Sequence, residues 1–450
     1  MTDKYDLMVA GAGPAGCTLA AKVASGGARV LLIERKDEPG RDRDWIVDVT
    51  RESFEVAAVP FPRADELFDE PGRTVLVTSD KSCEVALLPA PMIPVRNGPY
   101  IRRLAGWASE CGARVETDTE VIGPVIEGDS VTGVRIRRGK DEASLRASVV
   151  ADCTGIRGAV RCATPVGWGL AARVKPADTV LARRETRRID LEWARSAVRR
   201  GLLSDRVRRD RVGSQGVYSV ETCFVDLEAG FIDILIGLKP GSGPSADERF
   251  TAMISEYGFV GEKVFGDGGP IPIRRPLDAP AANGLVVLGD SACQVIPAHG
   301  SGTASALIAA DLASGVVLRA IERGKADRKS LWGYCHAFQS GRGGLLAYYE
   351  VIKNHTESLS VRDLDEMIRK GIVGPREIYT GLVPEVPPMG LVDVLGKLRR
   401  GLGSLPELAA VAKAGMLAQR TLKHYRDYPP LDVPGALERW SSSMPGRTTL

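Results

Sequence analysis

The feature that most constrains this chain is Gly11-Ala-Gly13-Pro-Ala-Gly16, which follows the apolar run Tyr5–Ala10 and precedes a small-residue stretch from Cys17 to Ser25. A second apolar run, Arg29 to Ile33 (RVLLI), comes next, and Glu34 follows it directly. Each part has a physical task. Gly11 permits the tight turn out of the first strand, Gly13 lets a pyrophosphate approach the backbone, and Gly16 lets the following helix pack close to the strand. The helix N-terminus then meets the phosphate charge, and Glu34 accepts hydrogen bonds from a ribose. A chain that begins this way is committed to a strand–turn–helix–strand unit that binds a dinucleotide.

A second motif separates the flavin dinucleotide from the nicotinamide one. Residues 284–303 read GLVVLGDSACQVIPAHGSGT and lead into an alanine-rich stretch from about Ala304 to Arg323. The expected strand stops at Gly289-Asp290, which puts a carboxylate where ribityl hydroxyls of FAD would lie. The Pro297–Thr303 turn, with Gly300 and Gly302, opens a helix whose first amides face the flavin edge that gathers negative charge on reduction. FAD is therefore the expected cofactor, bound without a covalent link.

Composition bounds the rest. At 450 residues the chain has room for two to three subdomains, and a net charge of +3 does not argue for nucleic acid. The eight cysteines are scattered, with no CxxC pair and no metal spacing, which suits a reduced cytoplasmic setting and predicts no metal. The opening residues run straight into a strand, leaving no expected room for a signal peptide. No run approaches the roughly 20 apolar residues of a membrane span, so membrane contact, if made, is expected to be peripheral.

A third element, Ser148–Ala151 followed by Asp152-Cys-Thr-Gly155, lies between the other two. In this order the three motifs resemble the aromatic-hydroxylase-like flavoproteins and, within them, the geranylgeranyl reductase family. Pro272-Ile-Arg-Arg-Pro-Leu277, Asn283–Ser291, Pro297–Gly302, Leu331-Trp332 and Tyr425-Arg-Asp-Tyr-Pro429 carry the likeness to its archaeal branch. The resemblance implies an α/β fold: a Rossmann-like FAD domain from residues 1–165 plus 268–325, with part of 41–95 near the substrate. A β-sheet substrate domain would occupy 166–267 and a helical region 326–450. It assigns Pro14, Ala15, Glu34 and Arg35 to the adenosine half of FAD, Arg103 to the phosphates with Arg96 as rival, and Val121 to adenine. Asp290, Gly302 and Thr303 would hold the ribityl and ring portions.

The resemblance also implies the reaction: reduction of C=C bonds in a long apolar, prenyl-type substrate. Two departures bear on that. Relatives carry a Pro-x-Cys-Gly loop where this chain has Gly40–Asp48, without cysteine, and a glycine-aromatic segment ending in Phe-Pro where it has Val220–Ile236. A flavin-dependent monooxygenase or hydroxylase, or an electron-transfer flavoprotein serving a quinone, is the alternative. The halogenase Trp-x-Trp signature is missing, since the six tryptophans are isolated. No second GxGxxG marks a nicotinamide domain, so the reductant is either a small redox protein or NAD(P)H.

Four further features call for a reading. Arg183–Arg211 holds eleven arginines against five acids, which fits either an anionic ligand or a solvated helix face. Of four histidines, His299 alone falls in the Pro297–Gly302 turn, where as imidazolium it would stabilise reduced flavin or donate a proton; the alternative is a bond to backbone. Cys293 reads as a small buried filler. Ser404-Leu-Pro-Glu407 reads as a capping box opening a helix through about Lys423.

Overall fold

The computed structural model describes residues 4–41, 43–89, 92–213, 219–241, 243–383 and 405–446. Its first layer is a sheet whose central strand is Tyr5–Ala10. Val30–Ile33 lies on one side of that strand and the second half of Asp141–Asp152 on the other, both parallel to it. Arg114–Glu116 extends the first side and Leu285–Val287 the second, again in parallel. Val30–Ile33 is buried at all four positions, as a parallel strand covered on both faces must be.

Helices Pro14–Ser25, Asn97–Glu110 and Thr303–Glu322 cover one face and share its core. The other face is closed by the antiparallel strands Glu120–Glu127 and Ser130–Arg138. Chain order reverses on the two sides of the first strand. That puts the Gly11–Gly16 turn at the topological switch point, where the carboxyl ends of Ala10, Ile33, Asp152 and Val287 face the same way.

The second layer is a seven-stranded, mostly antiparallel sheet. It is built from residues 179–272 and from two earlier strands, Arg73–Val77 and Glu84–Ala86, the first of which runs parallel to Val207–Val212. Helices Leu191–Arg199 and Ala246–Tyr257 pack on its outer face, and its inner face turns to the first layer. The arginine-rich segment therefore divides. Helix Leu191–Arg199 carries part of it, while most of the arginines sit on strands Thr179–Ile189 and Val207–Val212, against carboxylates.

The C-terminal helices lock onto both layers. Arg328–Phe338 continues through a π-helical turn, Gln339–Gly343, into Gly344–Ser358. Leu405–Arg426 packs alongside it; Ser404, expected to cap that helix, lies outside the described residues. Trp332 stacks on Tyr428 at 5.5 Å and donates to the Pro429 carbonyl at 2.8 Å, so two segments nearly a hundred positions apart meet in one aromatic contact. Helix Thr303–Glu322 is long and apolar enough to cross a membrane (mean hydropathy 1.6), but 61% of that stretch is buried inside the fold, where it forms core.

Candidate functional site

A cleft of about 800 Å³ opens at the switch point and continues across the inner face of the second sheet. Its first half is made by the glycine turn. Gly11 has φ +101°, and a Cβ there would lie 2.4 Å from the Cys153 carbonyl oxygen. A Cβ on Gly16 would fall 2.0 Å from the Gly11 carbonyl oxygen, which is how closely helix and strand pack. Gly13 is different. No atom lies within 4 Å of its Cβ position, so the space in front of the turn is open.

Glu34 closes this end. Its carboxylate accepts from the Ala12 N–H at 2.9 Å and from the Lys36 N–H at 3.0 Å, and it lines the cleft together with Pro14, Ala15 and Arg35. Two helices aim their N-termini inward, Pro14–Ser25 and Thr303–Glu322. Neither has a side-chain cap or an acid in its first turn, leaving backbone donors for a ligand.

The middle of the cleft joins distant parts of the chain. Gly289 sits 3.5 Å from the Ala15 side chain, measured from its Cβ position, so Asp290 and the glycine turn share one wall. The Asp290 carbonyl accepts from the Cys293 N–H at 3.1 Å, but among the described residues its carboxylate accepts no hydrogen bond. Burial raises its carboxyl above the ordinary range, and Arg43 across the cleft opposes the rise. A carboxylate left without donors, an open Gly13 and two uncapped helix ends suit the hydroxyls and pyrophosphate of FAD; the residues present fit that cofactor. Asp152 plays a structural part instead. It accepts from Thr154, Val160, Arg161 and Ser291 and ties two strand ends together.

Val121, Gly300, Gly302 and Thr303 also line the cleft, and the Val121 carbonyl accepts from Arg157 at 3.3 Å. Arg103 does not line it, contrary to the expectation. Its Nε bonds Glu66 at 2.6 Å, its Nη2 bonds the Phe61 carbonyl at 2.9 Å, and its guanidinium lies over Tyr100. The buried Glu66 carboxylate requires a counter-charge, and Arg103 supplies it. Arg96 is likewise engaged, with Asp44 at 2.9 Å and the Phe265 ring. Arg35, Arg41, Arg43 and Arg157 line this half of the cleft.

His299 faces the cleft with Nε2 buried and without a partner, while the ring bonds the Leu382 backbone. Burial pulls its pKa down to about 4, and the nearby Asp48 only partly offsets that. Of the two readings the sequence left open, imidazolium or a bond to backbone, the neutral, backbone-bonded ring is the one this geometry favours near pH 7. Cys293 is fully buried behind the turn, its thiol pushed up to about 11 by desolvation.

Beyond His299 the cleft is walled by Asp48 and by two arginines of the Arg183–Arg211 segment, to which the sequence reading gave no individual roles. Asp48 receives Arg208 Nη1 at 2.9 Å and Arg184 Nη1 at 3.4 Å. Burial pushes its carboxyl up, and the two guanidiniums outweigh that and hold it well below the usual range. Arg184 also grips Asp233, with Nη2 at 2.7 Å, and Lys239 meets Glu357 at 2.5 Å. The prior signal was the arginine-rich segment Arg183–Arg211, but the sequence did not reveal the tertiary contacts that bring Arg184 and Arg208 to Asp48.

Comparisons with known proteins agree with this geometry. A family described as the NAD(P)-binding Rossmann-like domain matches residues 9–58. The digeranylgeranylglycerophospholipid reductase of Sulfolobus acidocaldarius is 25% identical over 97% of this chain and 96% of its own length. The enzyme of the same name from Methanosarcina mazei is 26% identical over 82% of this chain and 88% of its own. Among solved structures, a geranylgeranyl bacteriochlorophyll reductase-like protein from Thermoplasma acidophilum superposes with a TM-score of 0.73 at 18% identity, covering 92% of this chain and all of its own. A myxobacterial chondrochloren halogenase shares the fold at TM-score 0.60 and 18% identity, with 93% and 97% covered.

Proposed function

We propose that this chain is an FAD-dependent oxidoreductase that reduces C=C bonds of a long, largely apolar substrate, as the prenyl-lipid reductases it resembles along its whole length do. The observation that carries the reading is the continuity of the cleft. Its dinucleotide half and the part floored by the second sheet form one cleft of about 800 Å³.

When bound, FAD supplies the hydride. The chain's own groups hold it in place: Gly11–Gly16 and Glu34 at the adenosine end, with Arg35 and Val121, and Asp290 with Gly300, Gly302 and Thr303 at the ring end. The first amides of Thr303–Glu322 present positive partial charge where electron density gathers on reduction. His299, neutral and bonded to Leu382, positions this loop and offers Nε2 to whatever enters. The proton for the second carbon then comes from solvent. The electron donor in this reading is a small redox protein or NAD(P)H.

Denaturing the purified protein should release a yellow compound that chromatographs as FAD. Anaerobic photoreduction, followed by polyprenyl lipids, quinones or enoyl thioesters, should give flavin reoxidation with a two-hydrogen mass gain in an alkene substrate. Reoxidation by oxygen alone, with an oxygenated product, would replace this reading with that of a monooxygenase. Reoxidation by quinone alone would make it an electron-transfer protein.

A further inference from the structure

We propose that the chamber beyond His299 is built for an amphiphile whose hydroxyl-bearing end is read by Arg208 and Asp210; this deepens the reading above and rests on it. The register of the sheet lays out the wall in rows. Ala182, Gly237 and Val220 stand opposite one another, an apolar row with Val180 and Ile271 nearby. Two residues along, on the same face, stand Arg184, Leu235, Thr222 and Asp210, and next to them Asp233 and Arg208. One stretch of wall therefore suits hydrocarbon and the next is ionic.

The ionic stretch is almost self-compensated, and what is left over defines the ligand. Arg184 spends its fork on Asp233 and its Nη1 on Asp48 and the Ile46 carbonyl. Arg208 gives Nη1 to Asp48 and Nε to Asp210 Oδ1 at 3.0 Å, and Thr222 donates to that same Oδ1 at 2.7 Å. Among the described residues, Arg208 Nη2 and Asp210 Oδ2 have no partner, and both residues line the chamber. A free donor and a free acceptor on two side chains joined through Nε and Oδ1 match a hydroxyl, which accepts from one and donates to the other. A bare hydrocarbon placed there strips water from both and returns nothing.

The test uses three probes of one chain length with the FAD-loaded oxidised protein: farnesol, farnesyl methyl ether and farnesene, with binding read from the flavin absorbance. Farnesol should bind at least ten-fold more tightly than the ether, which keeps the acceptor and loses the donor, and more tightly still than farnesene. Asp210→Asn, which keeps an acceptor for Thr222, should erase the preference for farnesol over the ether. Arg208→Lys, which keeps a cation beside Asp48, should weaken both oxygenated probes. Equal binding of the three probes by the wild type overturns the proposal without recourse to any variant that fails to load FAD, and so does failure of all three to bind. Farnesol that binds selectively but is never reduced by photoreduced enzyme leaves this site standing and removes the reductase reading. Farnesene that is bound and reduced as well as farnesol does the reverse.

Discussion

At the scale of single residues, His299 has the most to say about chemistry. The turn that carries it was legible in the sequence, but its protonation was not, because that depends on how deeply the fold covers it. An unfolded histidine titrates near 6.5 and this one near 4, so between those values the unfolded chain binds a proton that the native state refuses. Native stability is therefore undiminished above pH 6.5 and falls as pH drops towards 4. Thermal melts across that window should show the wild type losing more stability than His299→Gln, while the two keep parallel profiles between pH 7 and 8. Coincident curves throughout would mean that the ring is solvated and free to ionise. Arg103 teaches the complementary lesson. Its helix was readable, but the claim of a buried Glu66 on its guanidinium arises from a three-dimensional contact between residues 37 apart.

At the scale of elements, the glycine turn separates folding from binding with unusual clarity. Gly16→Ala drives a methyl into the Gly11 carbonyl, and overpacking of this kind costs about 1–3 kcal/mol. Gly13 has extended, unstrained dihedrals (φ −80°, ψ −177°) and empty space before it, so Gly13→Ala should leave the melting of the apoprotein within about 0.5 kcal/mol of wild type. The same substitution should sharply weaken FAD binding, because the new methyl stands where a pyrophosphate approaches. Loss of apoprotein stability in Gly13→Ala equal to that in Gly16→Ala would contradict the assignment. This unit was fully legible in the sequence because turn, helix start and acid are all local. The ionic chamber was not: Asp48, Arg184 and Arg208 lie on three strands brought together only by long-range pairing.

At the scale of the whole molecule, the C-terminal segments are held to the core of the first layer through a small aromatic knot. Tyr428 is almost completely buried, stacks on Trp332, packs edge-on to Trp440 and donates to the Asp278 carbonyl at 2.8 Å. Tyr428→Ala should cost about 3–5 kcal/mol, measured by urea unfolding, and Tyr428→Phe only the share of one hydrogen bond, about 1 kcal/mol. Equal losses in the two would move the weight from ring packing to the hydroxyl. The assembly of the cleft from segments 277 positions apart carries a further implication, for biogenesis. Gly13 and Asp290 form one wall, and the strand Leu285–Val287 must pair with Asp141–Asp152 before that wall exists. At about 5–20 residues per second, a ribosome takes tens of seconds to travel from the first of these motifs to the second. Until the strand Leu285–Val287 is made, Asp141–Asp152 lacks one of its parallel neighbours and half of the cofactor site is still to come. Capture of FAD thus waits until about two-thirds of the 450 residues have been made.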